Sequence, residues 1–159
     1  MALKDVSPLK KCLAPFPKNV VERALWLRKF AWTEFAGCNE LIYDNYNAVA
    51  VGWSPTDKVG HTICSIAVGR TSFNVHFGFY WGSKIPDPKS MLIGEGNQYR
   101  YLLVDDIETF PADYARKLMR SAFDYSMSLV KDPKQFKEGL TILKSVSGVK
   151  RTKGARKKK

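Results

Sequence analysis

The chain has 159 residues, of which 45% are hydrophobic and 13% aromatic, and it carries 26 Lys and Arg against 15 Asp and Glu, a net charge of +11. This composition excludes a wholly disordered chain, and the length predicts one domain with a buried core. The apolar runs are too short to span a bilayer and the N-terminus lacks the apolar region of a signal peptide, so we expect a cytoplasmic protein that does not enter a membrane.

The basic excess is concentrated at the C-terminus. Residues 145–159 hold seven Lys and Arg and no acidic residue, whereas residues 1–144 carry a net charge of only +4. Because the segment has little to bury, we predict a disordered basic tail at 145–159 that follows a domain at 15–144. Two roles stay open for this tail: solubility, or weak binding to polyanions without sequence preference.

The first predicted element is a helix. Residues 1–16 contain Pro8 and Pro15 and are followed by Pro17, so this segment is expected to be irregular. From Lys18, apolar residues recur at steps of three and four, which predicts a helix that stops before Gly37. A short helical turn is expected at 39–43.

The middle of the chain has the period of β-strands. Residues 47–53, 61–69, 72–80 and 99–104 are rich in β-branched and aromatic types, and the third run alternates cleanly. Gly69–Thr71 suits a tight hairpin, in which glycine accepts a positive φ. We therefore expect neighbouring antiparallel strands.

The last predicted elements are helical. A long loop, Trp81–Asn97, precedes the fourth strand, and Phe110-Pro111 opens a helix. Asp132 is expected to cap a further short helix that persists to about Lys144. The fold class is thus α+β: a two-layer domain with an antiparallel sheet of about four or more strands, packed by N- and C-terminal helices.

Few residues have the pattern of catalytic or metal sites. The chain has three separated cysteines without a CxxC pair, and His61 and Cys64 would point to opposite faces of a strand. No nucleophile elbow occurs. His76 lies on the less apolar face of its strand, where an arginine and tyrosines would suit an anion. An unrecognised acid–base pair, for example in 105–108, leaves an enzyme as an alternative.

Several segments together resemble the YdhG-like family (DUF1801), a widespread bacterial domain. They are the acidic-aromatic stretch Asn39–Trp53, the loop Ile85–Lys89 with Gly94–Gly96, and Tyr99–Tyr101. The resemblance covers roughly residues 38–127. It implies a small α+β domain of unknown function, and one branch of the family is similar to a frataxin-like iron chaperone, which makes iron handling a second alternative.

The resemblance and the polar residues around it lead to one site hypothesis. We predict a non-enzymatic binding domain without a cofactor, whose cleft takes a small ligand, an anion or a protein. Arg100 is expected either to pair with Asp44 or Asp87 or to be free for an anion. The candidate ligand-binding residues are Tyr43, Asn45, His76, Trp81, Asp87, Gly94, Gly96, Asn97 and Arg100.

Overall fold

Three helices and six strands make up the main elements of the part of the chain that the structure describes. The structure is a computed structural model that describes residues 5–152. The helices are α1 (Ser7–Leu13), α2 (Lys18–Glu34) and α3 (Ala112–Leu129). The strands are β1 (Asn39–Asp44), β2 (Ala48–Ser54), β3 (Cys64–Gly69), β4 (Val75–Phe79), β5 (Arg100–Leu103) and β6 (Thr141–Val146). Short 3-10 helices lie at Val59–His61, Gly82–Lys84 and Pro133–Gln135.

The strands form one open sheet in the order β5-β4-β3-β2-β1-β6. Four neighbouring pairs are antiparallel, and β1 with β6 is parallel. The predicted α+β class, with a sheet packed by helices, is therefore confirmed. The sheet is mixed because β6 returns beside β1 only after α3, and that long connection permits a parallel strand. No helix within residues 5–152 has the length and hydrophobicity needed to cross a membrane.

The strand register sorts the side chains into two faces. One face carries large apolar residues that form the core with the helices; Trp53, Phe77 and Phe79 on it are completely buried. Phe30 of α2 meets Phe77 edge to face at 5.9 Å. Burying one such ring stabilises the fold by about 1.5–3 kcal/mol. The other face carries small residues on its central strands: Ala48, Ala50, Gly52, Ser65, Ala67 and Gly78.

The N-terminal segment is helical, which corrects the expectation of irregular structure before residue 17. Pro8 stands in the first turn of α1, where a missing N–H costs nothing. Leu9 and Leu13 are buried in the core. The ordered part of the chain therefore begins earlier than the predicted boundary at residue 15.

Two predicted helical segments are strands, and both predictions were wrong. Residues 39–43 belong to β1, where Leu41 and Ile42 are buried on opposite faces, as only an extended chain allows. The segment after Asp132 forms a single 3-10 turn, in which the Asp132 side chain accepts the Lys134 N–H as the predicted cap, and then β6. Pairing with β1 decides this outcome, since it satisfies the backbone of both strands.

The start of the predicted tail is attached to the sheet. Strand β6 continues to Val146, past the predicted boundary at Lys144. The Ser147 N–H then donates to the Asp44 carbonyl at 2.8 Å, and the Arg151 N–H donates to the Tyr46 carbonyl at 2.9 Å. The remainder of the predicted tail, 153–159, lies outside the described residues.

The β3–β4 hairpin differs from its prediction in one detail. Among the described residues of this turn, the positive φ belongs to Phe73, at 58°, and not to Gly69. The Phe73 N–H donates to the Gly69 carbonyl at 3.1 Å, which holds the turn closed. A left-handed backbone at an aromatic residue is uncommon and is sustained by surrounding contacts.

Candidate functional site

A cavity of about 480 Å³ lies where the C-terminal end of α2 meets α3. A second cavity of about 400 Å³ adjoins it along α3 and shares Glu34, Phe35 and Phe123 with it. We call the two together the α2–α3 groove. Its apolar wall consists of Phe35, Cys38, Met119, Phe123, Met127 and Phe136.

The end of α2 builds the first side of the groove. The Phe35 N–H donates to the Ala31 carbonyl at 2.9 Å, and the Cys38 N–H donates to the Phe35 carbonyl at 2.9 Å. The chain therefore reverses within a few residues, at the point where Gly37 predicts the stop. Phe35 stacks on Phe123 of α3 with ring centroids 5.8 Å apart and planes 14° from parallel.

The segment between α3 and β6 builds the second side. The Lys137 N–H donates to the Pro55 carbonyl at 3.1 Å, and the Gly139 N–H donates to the Cys38 carbonyl at 3.2 Å. These bonds fix the backbone beside Phe136, whose side chain is 41% exposed at the mouth of the groove. A ring held at a cavity mouth by its backbone is available to a ligand without reorganisation.

The ionisable side chains of the groove differ in their surroundings. Glu34 accepts a hydrogen bond from Arg116 at 2.9 Å, so this carboxylate is already paired. Burial raises the pKa of the Cys38 thiol to about 12, so it stays protonated at neutral pH and is a poor nucleophile. Lys137 and Glu138 are exposed at the rim.

Of the residues predicted as a site, Tyr43 and His76 lie on the face of the sheet opposite the helices. The register places them in one row, Tyr43, Ala50, Ala67 and His76, so three inter-strand steps of roughly 14 Å in total separate them. His76 stacks on Tyr101 with centroids 3.8 Å apart, and burial lowers the pKa of His76. The Tyr43 hydroxyl is buried without a hydrogen-bond partner among the described residues.

Arg100 stabilises its own loop. Its guanidinium donates to the carbonyls of Glu95 at 3.2 Å, Tyr99 at 2.8 Å and Gly96 at 2.6 Å. Arg100 forms no ion pair with Asp44 or Asp87 among the described residues, so the predicted pairing was wrong; the alternative, an Arg100 that is free for an anion, stays a prediction. The loop before β5 directs these three carbonyls toward the guanidinium, and they accept hydrogen bonds from it.

Asp87 fixes the start of the same loop. Its carboxylate accepts the Tyr114 hydroxyl at 2.5 Å and two backbone N–H groups of the loop, at 3.1 and 2.9 Å. Gly94 and Gly96 have φ of 133° and 84°, where glycine is favoured. Asn97 is exposed beyond them. The polar residues and glycines here are explained by the conformation of the loop.

The last two predicted residues lie elsewhere again. The Asn45 side chain accepts a hydrogen bond from Ser145 at 2.7 Å, and its carbonyl accepts one from Arg70 at 2.8 Å. The Trp81 indole donates to the Gly60 carbonyl at 2.8 Å and packs toward α3. The structure thus divides the nine predicted residues among four places and does not bring them together in one cleft.

One hydroxyl–imidazole pair has the spacing of a nucleophile and its base. Thr56 Oγ1 lies 2.7 Å from His61 Nδ1, and it also accepts the Lys58 N–H at 3.1 Å. Burial, and then the charge of Lys58, lower the pKa of His61. Because Thr56 is completely buried, its hydroxyl cannot reach a substrate, and the pair stabilises the β2–β3 connection.

Carboxylates and cysteines do not form a metal centre in the described part of the chain. Within residues 5–152, no three His, Cys, Asp or Glu side chains lie close enough to hold a metal ion. Cys12, Cys38 and Cys64 are free and buried. In the acidic cluster at 105–108, Asp106 accepts the backbone N–H two residues on, which is a turn contact.

A scan against models of protein families, a search of curated proteins and a search of solved structures gave no match. The resemblance to the YdhG-like family therefore stays a prediction from its motifs.

The residues of the α2–α3 groove were visible in the sequence only as parts of helices. Phe123 and Met127 follow the apolar stripe of α3, and Phe35 ends that of α2. The partial burial of Phe123 and Met127 is the sign of a groove, and it depends on how the chain beyond α3 returns to the sheet.

Proposed function

We propose that the protein is a non-enzymatic binding domain of the YdhG-like kind that holds a small ligand in the α2–α3 groove. The observation that supports this most directly is a volume of about 480 Å³ with aromatic walls. Sites for small molecules have volumes of about 300–1,000 Å³ and mainly apolar linings.

The wall chemistry favours a ligand with an aromatic or aliphatic ring. Phe35 and Phe123 present a stacked pair to the cavity, and Met127 adds a flexible thioether that adapts to the shape of a ring. Lys137 and Glu138 at the rim would meet a polar end of the ligand in solvent. We therefore propose a ligand with an apolar body and one polar group.

Two alternatives have less support. An enzyme would need an accessible acid–base pair, and in the described pair of Thr56 and His61 the Thr56 hydroxyl is buried. Iron handling, which rests on the family resemblance, would need carboxylate or imidazole clusters, and the described residues contain none of three or more. A cytoplasmic location remains part of the proposal.

The methionines allow a direct test of the groove. Protein labelled with ¹³C at the Met methyl groups would be titrated with phenol, benzoate and benzylamine, which share a ring and differ in charge. Met119 and Met127 line the groove, whereas Met91 lies in the loop before β5 and serves as an internal control. We expect saturable shifts of the two groove methyls and none at Met91. The probe that binds with the highest affinity of the three identifies the charge that the groove prefers at the polar end of a ligand.

A pair of matched variants completes the test. Phe136→Ala removes a wall ring and Leu103→Ala removes an apolar side chain of the same 41% exposure on β5, so only the first should weaken binding. Absence of saturation for all three probes up to about 10 mM, or equal weakening by both variants, would contradict the proposal.

The basic segment after β6 favours a second function, weak binding of polyanions. Five of its basic residues, Lys153 and those in 156–159, follow the part of the chain that the structure describes. If about three to five charges contact phosphates, log K should fall with log salt with a slope of about −3 to −5 on a random duplex. A chain that ends at Thr152 should lose this binding; equal affinity of the two chains would exclude the segment as the binding element.

A further inference from the structure

A second pocket lies at the other end of α2. The helix has 17 residues, so the pocket and the α2–α3 groove are about 25 Å apart. Its volume is about 160 Å³, and its walls include two aromatic rings and two guanidinium groups, those of Phe16, Phe73, Arg70 and Arg151. We call it the arginine pocket.

The aromatic wall is set by the unusual backbone of the β3–β4 hairpin. With φ at 58°, Phe73 places its ring edge to face with Phe16, centroids 6.0 Å apart and planes at 72°. The Arg70 guanidinium lies 5.5 Å from the centre of the Phe16 ring. Backbone strain of this kind clusters at active and binding sites. Here it lies beside two arginines.

Arg70 is held rigidly on the first side of the pocket. It is 5% exposed, donates from Nε to the Asn45 carbonyl at 2.8 Å, and pairs through Nη2 with the Asp44 carboxylate. The guanidinium of Arg70 is therefore fixed before any ligand arrives, and a charge that is already fixed loses little entropy on binding.

Arg151 closes the second side and has an unused donor. Its backbone N–H bonds to the Tyr46 carbonyl at 2.9 Å, and Nη1 lies 3.4 Å from Asn47 Oδ1. The Nε atom is buried and has no hydrogen-bond partner within residues 5–152. Leaving a buried charged donor without a hydrogen bond is costly, so this N–H is suited to donate to an anion.

The local charge points the same way. Asp44 already serves Arg70 and Lys150, whose Nζ is 3.2 Å from the carboxylate. Arg151 adds a third cation nearby, and none of the described residues that line the pocket is acidic. The excess of about two positive charges matches a dianion better than a single carboxylate.

We propose that the arginine pocket binds one phosphate group, as inorganic phosphate or as the phosphate of a small monoester. The Arg151 guanidinium with its unpaired Nε, beside the fixed positive charge of Arg70, suits a tetrahedral oxyanion, and about 160 Å³ leaves no room for a nucleotide inside the pocket. The site uses none of the residues of the α2–α3 groove and is independent of the function proposed there.

The test follows the arginine side chains by NMR. Inorganic phosphate would be added to the full chain at constant ionic strength, with the Nε–Hε signals of Arg151 and Arg70 as readouts and sodium chloride and acetate as reference anions. We expect a saturable shift of the Arg151 signal with phosphate and weak, linear shifts with chloride and acetate. Phenyl phosphate distinguishes the source: tighter binding than phosphate indicates a monoester whose group lies against Phe16 and Phe73.

Matched variants decide whether the pocket is responsible. Arg151→Gln removes one fork, and Arg156→Gln makes the same change in the basic segment outside the described residues. We expect affinity for phosphate to fall about tenfold or more in the first and to stay within about twofold in the second. Arg151→Lys keeps the charge and should weaken phosphate binding while the spectrum stays native. Equal affinity of the wild type and Arg151→Gln, or equal loss in both Gln variants, would overturn the proposal.

Discussion

Replacement of Arg28 by Met should destabilise the fold strongly, because it removes the counter-charge of a buried carboxylate. Arg28 is 4% exposed and Glu40 is completely buried, and two bonds join them, Nε to Oε2 at 2.6 Å and Nη2 to Oε1 at 3.1 Å. After the replacement, the Thr141 hydroxyl, 3.0 Å from Glu40 Oε1, would be the side-chain donor left to this carboxylate among the described residues. Loss of one partner of such a pair costs about 3–5 kcal/mol, which lowers Tm by about 6–20 °C in a domain of this size.

The measurement is urea and thermal unfolding followed by circular dichroism. Lys18→Met is the matched control, because its ion pair with Glu22 spans 3.9 Å and the Lys18 side chain is 91% exposed, so we expect a change within about 0.5 kcal/mol. The double variant Arg28→Met, Glu40→Leu should regain most of the lost stability, since no charge is then buried alone. A cost below about 1 kcal/mol for Arg28→Met alone would refute the reasoning.

Three further predictions concern a glycine, an aspartate and a thiol. Gly78→Ala should cost about 1–3 kcal/mol in urea unfolding, because its Cβ would overlap a tyrosine hydroxyl, whereas Gly60→Ala, with open space around it, should cost little. Burial acts to raise the pKa of Asp87, but the Tyr114 hydroxyl and two N–H groups outweigh it and lower the pKa below 3.8. The stability that Asp87 contributes is present above pH 3.8 and is lost as the pH falls through the lowered value, so Asp87→Asn should flatten the acid limb of stability against pH. Burial raises the pKa of Cys64 well above 9, so a disulfide reagent should label it at about pH 8 only after unfolding.

The elements with a clear internal period were predictable from the sequence. Helix α2 follows its stripe of apolar residues from Lys18 to within two residues of the predicted stop. Strands β2 to β5 lie within or within one residue of their predicted ranges, because each buries alternate side chains under the helices. Local pattern and tertiary environment favour the same structure in these segments, and such segments can be predicted from sequence.

The elements that depend on distant partners were not predictable. Strand β1 has apolar residues on both faces and therefore lacks the alternation of a half-buried strand. The segment that leads into β6 spaces Phe136, Leu140 and Leu143 as a helix would, yet pairing of β6 with β1 selects the extended chain. Such a choice rests on contacts about 100 residues apart, which local periodicity cannot report.

The same dependence on distant contacts decides where ligands can bind. The chain after α3 supplies a wall to each proposed site: Phe136 to the α2–α3 groove and Arg151 to the arginine pocket. Both are positioned by backbone bonds to the start or the end of β1, through the Cys38 carbonyl before it and the Tyr46 carbonyl after it. The chain after α3, which local sequence predicts as a helix followed by a free tail, thus completes two cavities. They lie at opposite ends of α2. Binding at either place therefore requires β6 to be docked, and a ligand that binds only the docked state must stabilise that strand against local unfolding.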